Sequence, residues 1–201
     1  YICGKITLDK NIWFEASGDY IGSGKAEYIY RGESVEMTLR MRLPGWSGET
    51  GIKLNGSRFR PNTENGYAVI RRKWSDGDKL EVVFDLRPRF IYSNPRAAAN
   101  AGRAAVKKGP VVYCLEEADN GGDLNAVVVE DFCSAGDAGR QDGQQEQTVY
   151  LRGYREKAGS QEGKLYSDQN PEKVEGVFCA VPYHMWGNRG KGEMLVWMRK
   201  K

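Results

Sequence analysis

Hydrophobic and polar residues alternate along much of the chain, most clearly in the stretch SVEMTLRMRL. Its apolar side chains recur at every second position, as Val35, Met37, Leu39, Met41 and Leu43. Because successive side chains of a strand point to opposite faces, these residues share one face and the polar residues take the other. The pattern predicts a half-buried β-strand.

Turn-forming residues follow this first predicted strand. Asn55-Gly56 separates two short runs in GIKLNGSRF, and this residue pair suits the type I′ turn of a β-hairpin. Residues 76–78, Asp-Gly-Asp, separate GYAVIRRKW from KLEVVFDL, whose apolar residues again alternate. We therefore predict a second hairpin across residues 76–78.

The pattern changes between Arg87 and Lys108, where arginine, proline and alanine are frequent and alternation is weak. We interpret this segment as a domain boundary or crossover. Further strands are predicted at Val111–Leu115, Ala126–Phe132, Thr148–Leu151, Val177–Val181 and Met194–Met198. The polar segments Ser134–Gln147 and Lys157–Glu175 predict long surface loops.

Strands without intervening helices predict an all-β chain with little helix. We expect two antiparallel β-sandwich domains in series, the first over residues 1–88 and the second over residues 89–201. The length of 201 residues is sufficient for two small domains of about 100 residues each.

Composition and charge are those of an ordinary globular protein, with 40% hydrophobic residues, 28% charged residues and a formal net charge of +3. Basic residues are scattered among acidic ones, whereas a nucleic-acid partner would need positive charge on one face. No run of about 18 apolar residues predicts a membrane span. The chain opens at Tyr1 without a signal-peptide pattern, so we expect a fragment, a processed product or a cloned piece of something longer. Cytoplasm and periplasm both stay open as compartments.

The four cysteines, Cys3, Cys114, Cys133 and Cys179, are far apart and match no CxxC spacing of a zinc site. We interpret them as buried thiols that act as small hydrophobic residues. One disulfide in a periplasmic protein is the alternative.

The stretch KKGPVVYCLEEADN brings a cysteine and several carboxylates together. Cys114 has no histidine or arginine beside it in the sequence to lower the thiol pKa, as a nucleophile requires. If the strand continues, Glu116 and Glu117 point to opposite faces, whereas a glycosidase needs two carboxyl groups about 5 to 9.5 Å apart that face the substrate. We predict a buried core cysteine and a structural role for this stretch.

Residues 118–125, ADNGGDLN, offer oxygen atoms at the short spacing that calcium uses, through Asp119, Asn120, Asp123 and Asn125. The stretch lacks the terminal glutamate of a calcium-binding loop. Because turns also prefer Asp, Asn and Gly, we favour an exposed turn over a calcium site.

His184 is the only histidine, which argues against a catalytic triad or a histidine-rich metal site within this chain. Flat rings and hydrogen-bond donors surround it, and these candidate binding residues are Tyr183, Trp186, Asn188 and Arg189. Sugar-binding and protein-binding surfaces use such a mixture. We favour the alternative, a packed loop at the end of a sandwich with Trp197 in the core of the final strand. No Walker loop, GxSxG or HExxH motif occurs.

Several segments carry a family pattern in the correct order: LPGW (43–46), LNG (54–56), GYAVIRRKWSDGDKLEVVFDLRPR, NPRAAANAGRAAVKKGPVVYCLEEADN and VPYHMWGNRGKGEMLVW. Together they resemble the C-terminal part of glycoside hydrolase family 127, the β-L-arabinofuranosidase family. The resemblance covers nearly the whole chain and is weakest in the polar loops after Cys133.

The resemblance implies a catalytic (α/α)₆ barrel that precedes two β-sandwich domains. In that barrel a zinc-bound cysteine nucleophile, helped by glutamates, would cleave terminal L-arabinofuranosyl linkages with retention. Cys3 lacks the paired cysteine and the proline of the family's Cys-Cys-Pro stretch, so neither a zinc nor a nucleophile role is transferred to it. No catalytic residue of the family falls on this chain, and we expect no cofactor in it.

We therefore expect a non-catalytic region that braces the missing barrel and forms a homodimer interface through one sandwich. Such domains, when separated from a partner, expose a contiguous apolar patch. The alternative is a carbohydrate-binding module for arabinose-containing glycans that uses the candidate residues around His184. A self-contained enzyme is the third and weakest interpretation, because no pair of carboxylates can be placed on one face.

Overall fold

The computed structural model describes residues 2–9, 11–134, 148–157 and 163–201. The chain divides into two compact units, residues 1–87 and 88–201. Both units consist of β-strands joined by turns, with one short α-helix among the described residues, so the all-β prediction is confirmed. Within those residues no helix has the length and apolar character needed to cross a membrane.

The first unit is built from nine described strands that form two antiparallel sheets. The strands are β1 (Ile2–Asp9), β2 (Ile12–Asp19), β3 (Lys25–Gly32), β4 (Val35–Arg42), β5 (Thr50–Leu54), β6 (Ser57–Phe59), β7 (Asn62–Glu64), β8 (Tyr67–Trp74) and β9 (Lys79–Phe84). One sheet has the order β1-β2-β3-β9-β5-β6, and the other has the order β4-β8-β7. The two sheets bury their apolar faces in one core.

Two sequence predictions in this unit are confirmed. The alternating stretch forms β4, whose Val35, Met37, Leu39 and Met41 pack against the core. Asn55 and Gly56 join β5 to β6 as a hairpin, and both have positive φ angles, 50° and 79°, as a type I′ turn requires.

The second predicted hairpin, across residues 76–78, is wrong. Strand β8 pairs with β4 and β7, whereas β9 pairs with β3 and β5, so this connection passes from one sheet to the other. Ile70 of β8 and Leu80 of β9 are both buried in the shared core. Alternation of apolar and polar residues shows only that a strand has one buried face. Two consecutive strands show the same alternation whether they pair within one sheet or face each other from the two sheets of a sandwich.

The buried carboxylate of Asp78 holds this sheet-to-sheet connection in place. Its Oδ2 accepts a hydrogen bond from the Ser75 backbone N–H at 2.8 Å, and its Oδ1 accepts one from the Asn55 amide at 2.7 Å. Arg72 forms an ion pair with Oδ2 at 3.2 Å. The Tyr30 backbone N–H donates to the Asp78 carbonyl at 2.8 Å, which ties the connection to β3.

Aromatic rings fill the centre of this core. The ring of Phe14 meets those of Tyr30 and Trp74 edge-on, with centroid distances of 5.5 and 5.3 Å. All three side chains are buried. Edge-to-face pairs add about 0.5–1.5 kcal/mol each beyond the burial of apolar area, so this cluster is a major source of the unit's stability.

The second unit contains eight described strands and one helical turn. The strands are β10 (Pro88–Tyr92), β11 (Arg103–Lys108), β12 (Val111–Glu116), β13 (Val127–Cys133), β14 (Val149–Lys157), β15 (Glu172–Pro182), β16 (Met194–Leu195) and β17 (Met198–Lys200). Helix α1 spans Glu117–Asn120, and short 3₁₀ turns span Ala98–Asn100, Leu124–Ala126 and Tyr183–Met185.

Strand pairing closes the second unit into a ring. The sheet order is β10-β11-β17-β13-β14-β15-β12-β16, and β12 also pairs with β11. Six strands therefore form a closed barrel, with β10 and β16 attached outside it. Pairing among the described strands is antiparallel apart from β13 with β17, where Val128 lies opposite Arg199 in a parallel register. The core lies inside the ring and includes Leu115, Val129 and Met198.

Two strands lie in the segment that we interpreted as a boundary or crossover. Strands β10 and β11 pair from Pro88 opposite Lys108 to Tyr92 opposite Ala104. The sequence conceals β11 because alanine has little intrinsic preference for strands, yet Ala104 and Ala105 are buried.

The ends of two further strands also differ from the predicted ones. Strands β14 and β15 extend well beyond their apolar centres, to the pair Lys157 and Glu172, because long polar arms continue the antiparallel ladder. Part of the predicted loop Lys157–Glu175 is therefore strand. Residues 135–147 and 158–162, which were predicted as loops, lie outside the described residues.

The predicted final strand, Met194–Met198, is divided into two short strands. β16 pairs with β12, whereas β17 pairs with β11 and β13. Met198 is fully buried, and Trp197, which we predicted as a core residue, is only half-buried.

Replacement of Asp78 by alanine tests the importance of the buried carboxylate. The variant leaves Arg72, Asn55 and the Ser75 N–H without their acceptor, so the first unit should lose about 2–3 kcal/mol of unfolding free energy. Urea unfolding followed by tryptophan fluorescence measures the loss. The control is Glu36→Ala, which removes an exposed carboxylate on β4. Equal stability of the two variants would contradict this role.

Candidate functional site

The candidate residues Tyr183, Trp186, Asn188 and Arg189 lie in the connection between β15 and β16. A 3₁₀ turn over Tyr183–Met185 opens this connection, and the Trp186 N–H donates to the Tyr183 carbonyl at 3.1 Å. In a 3₁₀ turn, side chains three residues apart lie above one another. The turn therefore sets the relation between the two aromatic rings.

Tyr183 and Trp186 form an exposed aromatic pair. Their side chains are 48% and 45% exposed, the ring planes differ by 14°, and the ring centroids lie 6.5 Å apart. Asn188 is also exposed, and its backbone N–H lies 3.4 Å from the Met185 carbonyl. Two near-parallel rings in contact with solvent can stack against a flat or ring-shaped partner.

The side chain of Arg189 points back towards the six-stranded β-barrel of the second unit. Its guanidinium donates to both oxygens of Asp119, at 2.7 and 2.5 Å, and also to Oε2 of Glu116. These hydrogen bonds to Asp119 and Glu116 raise the pKa of Arg189 above its ordinary value, so the side chain stays charged. Arg189 therefore positions the connection, because both of its terminal guanidinium nitrogens donate to acidic side chains of the protein.

Glu116 is the second anchor of the connection. Its carboxylate is 5% exposed, and while Oε2 meets Arg189, Oε1 accepts a hydrogen bond from the Gly187 N–H at 2.8 Å. Glu117 does not share this site, because it begins helix α1 and its Oε2 accepts from the Glu193 N–H at 2.8 Å. The two neighbouring carboxylates thus hold different parts of one loop, and they do not form a catalytic pair.

Three of the four residues considered as calcium ligands have side-chain partners within the protein, namely Asp119, Asn120 and Asn125. Asp119 is bound by Arg189. The Asn120 side chain accepts from the Cys179 N–H at 2.8 Å and donates to the Cys179 carbonyl at 2.9 Å, as a neighbouring strand would. Asn125 accepts from Arg103 at 3.3 Å. Since the side-chain oxygens of Asp119, Asn120 and Asn125 are already engaged, the turn interpretation accounts for the stretch better than a calcium site.

Arg155 completes this arrangement, and sequence analysis missed it. Its guanidinium donates to the backbone carbonyls of Asn120 at 2.7 Å, Gly122 at 2.5 Å and Asp123 at 2.9 Å. These carbonyls belong to the last residue of helix α1 and to the turn after it, where no strand pairs with the backbone. Nothing in the local sequence indicates this contact, because Arg155 lies on β14, 32 to 35 residues after the carbonyls that it binds.

Metal ligation is absent from the parts of the chain that the structure describes. They contain no group of three or more His, Cys, Asp or Glu side chains placed to hold a metal ion. The side chain of Cys3 lies outside the described residues. The zinc that the family resemblance implies was assigned to a barrel, and no residue of this chain was assigned to it.

Cys114 is a buried thiol whose environment opposes ionisation. Its Sγ lies 3.7 Å from the Val181 carbonyl, and burial raises its pKa from 9.0 to about 12. The negative charge of Glu116 raises this pKa further, while the nearby charge of Arg189 opposes the increase. Sequence analysis found no arginine beside Cys114, yet the fold brings one near without producing a thiolate.

Comparison with known proteins identifies the family. The model of the glycoside hydrolase family 127 C-terminal domain matches residues 88–199. The model of the beta-L-arabinofuranosidase middle domain of the same family matches residues 1–86. The chain therefore belongs to glycoside hydrolase family 127, as the resemblance indicated.

Individual relatives support the same assignment. The chain is 32% identical over 216 residues to the non-reducing end beta-L-arabinofuranosidase of Bifidobacterium longum subsp. longum, a match that covers 100% of this chain and 32% of the relative.

Solved structures resemble the chain over almost its full length. A family 127 beta-L-arabinofuranosidase from Geobacillus stearothermophilus T6 has a TM-score of 0.85 and 30% identity, and the match covers 98% of this chain and 32% of that one. A second glycoside hydrolase structure has a TM-score of 0.79 and 26% identity, covering 98% of this chain and 34% of that one. The chain thus spans about a third of the length of the relatives it matches.

The raised thiol pKa predicts alkaline destabilisation. The unfolded chain ionises Cys114 above its ordinary pKa of 9.0, whereas the folded chain resists ionisation up to about 12, so stability should fall as pH rises between these values. Tyr113 acts in the same direction, because burial raises its pKa from 10.0 to about 12.

Thermal unfolding at pH values between about 8 and 11 measures this effect. Cys114→Ala should reduce the loss of stability with pH, leaving the part due to the tyrosines whose pKa values burial raises, Tyr113, Tyr28 and Tyr30. Val181→Ala is the control, because it removes a neighbour of Cys114 in the same buried cluster without removing a titrating group. A Cys114→Ala variant with an unchanged pH slope would show that the thiol is not responsible.

Proposed function

We propose that this chain is the non-catalytic β-sandwich region of a β-L-arabinofuranosidase-like glycoside hydrolase, in which it braces a catalytic (α/α)₆ barrel and contributes a homodimer interface. The observation that carries the proposal is the match to the family's middle and C-terminal domain models in sequence order. The relatives are about three times longer than the chain, and the proposal assigns catalysis and the zinc to the part of such a protein that these two domains do not include.

The use of buried carboxylates supports a non-catalytic role. Among the described residues, the buried charged side chains are Asp78 and Glu116. Each is bound by an arginine and by a backbone N–H group: Asp78 by that of Ser75 in its own connection, and Glu116 by that of Gly187 in the β15–β16 connection. A general acid or base has to face a substrate with a proton to exchange, whereas the carboxylates of Asp78 and Glu116 are directed at the loops that they hold in place.

An exposed apolar face on the first unit supports the bracing role. Ile6 of the edge strand β1 lies opposite Phe14 of β2, so its side chain is on the same face of the sheet as the core. Phe14 is buried, whereas Ile6 and Leu8 are each 48% exposed. An apolar face that continues beyond its own core is typical of a surface that another domain covers. We propose that the catalytic (α/α)₆ barrel covers this one.

Turnover by the purified chain tests the catalytic part of the proposal. We expect no release of L-arabinose from an aryl β-L-arabinofuranoside, because the buried carboxylates serve structure. The full-length relative from Geobacillus stearothermophilus T6 serves as the positive control. Measurable release that is lost on mutation of a carboxylate of this chain would overturn the proposal.

An immunoblot of a lysate of the source organism, with antibody raised against this chain, tests the bracing role. A band far above the 22.6 kDa of the chain is expected if the two units are fused to a barrel. A band at 22.6 kDa would mean that the chain exists by itself, which would contradict bracing within one polypeptide.

A second candidate function is supported by the exposed pair of Tyr183 and Trp186. Stacked rings at the surface are the main element of many sugar-binding surfaces, and Asn188 adds an exposed amide nearby. Arg189 would act by positioning the loop through Glu116 and Asp119. The chain would then recognise arabinose-containing glycans.

Titration with arabino-oligosaccharides distinguishes this second function. Saturable quenching of tryptophan fluorescence is expected, and Trp186→Ala should abolish it because the ring is both the platform and the reporter. Tyr166→Ala, which removes a ring that is 92% exposed elsewhere, is the matched control. Arg189→Met should weaken binding while leaving the spectrum of the saturated complex unchanged. Quenching that persists in Trp186→Ala would exclude this platform.

A further inference from the structure

The outer face of the three-stranded sheet β4-β8-β7 carries positive charges that the functions described so far do not use. The apolar residues of β4 pack into the core of the first unit, and so do Ala68, Ile70 and Trp74 of β8. Because side chains alternate between the two faces of a strand, the intervening residues of both strands point outwards. Four of them are exposed cations: Arg40, Arg42, Arg71 and Lys73.

The strand register spaces these cations evenly along the face. Residues that lie opposite each other on β4 and β8 form four successive rows, and each row holds one cation. The rows are Arg42 with Tyr67, Arg40 with Val69, Thr38 with Arg71, and Glu36 with Lys73. Successive rows lie two residues apart, which is about 6.8 Å, so the cations extend over about 20 Å of the sheet. We name these four cations the basic stripe.

Most of the basic stripe is not neutralised by the protein. Among the described residues, no carboxylate forms an ion pair with Arg42, Arg71 or Lys73. Arg40 pairs with Glu64 of β7 at 3.2 Å, and both side chains are more than half exposed. Such an exposed ion pair is weak, so an anionic ligand can compete with Glu64 for Arg40. The face therefore offers positive charge at regular intervals.

The chemistry between the cations suits a sugar chain. Tyr67 is 41% exposed on this face and can stack against a sugar ring. Thr38 and Asn62 are exposed on the same face and supply groups that both donate and accept hydrogen bonds, as sugar hydroxyls require. Guanidinium groups match carboxylates through paired hydrogen bonds.

Other partners fit the basic stripe less well. A small anion would contact one row and leave the others unoccupied. Single-stranded nucleic acid is bound through several aromatic rings that stack on bases, whereas Tyr67 is the single aromatic residue of the four rows. Charged residues are depleted from the centres of protein interfaces, which argues against a second protein. Membership in a glycoside hydrolase family also favours a carbohydrate.

We propose that the basic stripe binds a linear polysaccharide whose sugars carry carboxylate groups. Arg42, Arg71 and Lys73 meet successive carboxylates of the chain, and Tyr67 lies against one sugar ring. The stripe belongs to the first unit. It is independent of the aromatic pair in the second unit and of the bracing role.

Calorimetric titration of the 201-residue chain with polygalacturonate tests this proposal, with fully methyl-esterified polygalacturonate as the uncharged counterpart. Polygalacturonate should bind saturably and more weakly as sodium chloride is added, because salt screens exposed charges. The ester should not bind measurably. The double variant Arg71→Gln/Lys73→Gln should weaken binding about fivefold, because it removes two exposed ion pairs with the ligand. Glu64→Gln should strengthen binding about twofold, because it releases Arg40.

A double variant on the other sheet of the first unit is the matched control. Lys53 of β5 and Arg58 of β6 are exposed and lie opposite each other. Lys53→Gln/Arg58→Gln removes one lysine and one arginine, as the test variant does, and should bind as the parent chain does. Unchanged thermal unfolding shows that both double variants are folded, and the tighter binding of Glu64→Gln cannot arise from unfolding.

Four results would overturn the proposal. Polygalacturonate that does not bind saturably would exclude the site, and an ester that binds equally well would exclude a role for the carboxylates. An equal loss of affinity in Lys53→Gln/Arg58→Gln would show that net charge, and not the basic stripe, governs binding. Oligothymidylate that binds as tightly as polygalacturonate would reduce the stripe to a general polyanion surface.

Discussion

A carboxylate buried at the end of a strand needs a cation and hydrogen-bond donors, and this need holds the β15–β16 connection against the rest of the second unit. Glu116 ends β12 with only 5% of its surface exposed. Desolvation of a charged group without a partner would cost several kcal/mol, so the loop that supplies its partners has little freedom to move away. Arg189 and the Gly187 N–H come from that loop, and their positions fix the placement of the neighbouring aromatic rings.

The first unit satisfies the same need with different residues. Asp78 is buried in a connection between two sheets, and it too is met by an arginine, a side-chain amide and a backbone N–H. At both sites the carboxylate lies where a strand ends and backbone N–H groups no longer have a carbonyl of a neighbouring strand as acceptor. The carboxylate accepts a hydrogen bond from such an N–H group instead. The buried acidic residues of this chain are thus explained by the architecture of its turns, which is why their presence in a glycoside hydrolase family does not by itself indicate catalysis.

The sequence predicted those features that depend on local alternation or on one turn. The strand at Val35 and the hairpin at Asn55-Gly56 follow from side-chain periodicity and from the positive φ angles that the Asn-Gly pair accepts. Which sheet a strand joins is a non-local property, and so the connection at Asp78 was mistaken for a hairpin. Strand β11 was missed because its alanines are buried and have little intrinsic preference for strands.

The candidate site shows the same limit. Sequence analysis selected Tyr183, Trp186, Asn188 and Arg189 by their chemistry, and the structure separates them by role. The two rings and Asn188 face solvent, whereas Arg189 is bound to Asp119 and Glu116, which lie 70 and 73 positions earlier in the chain. Local sequence cannot distinguish an arginine that binds a ligand from one that holds a loop, because the difference depends on distant partners.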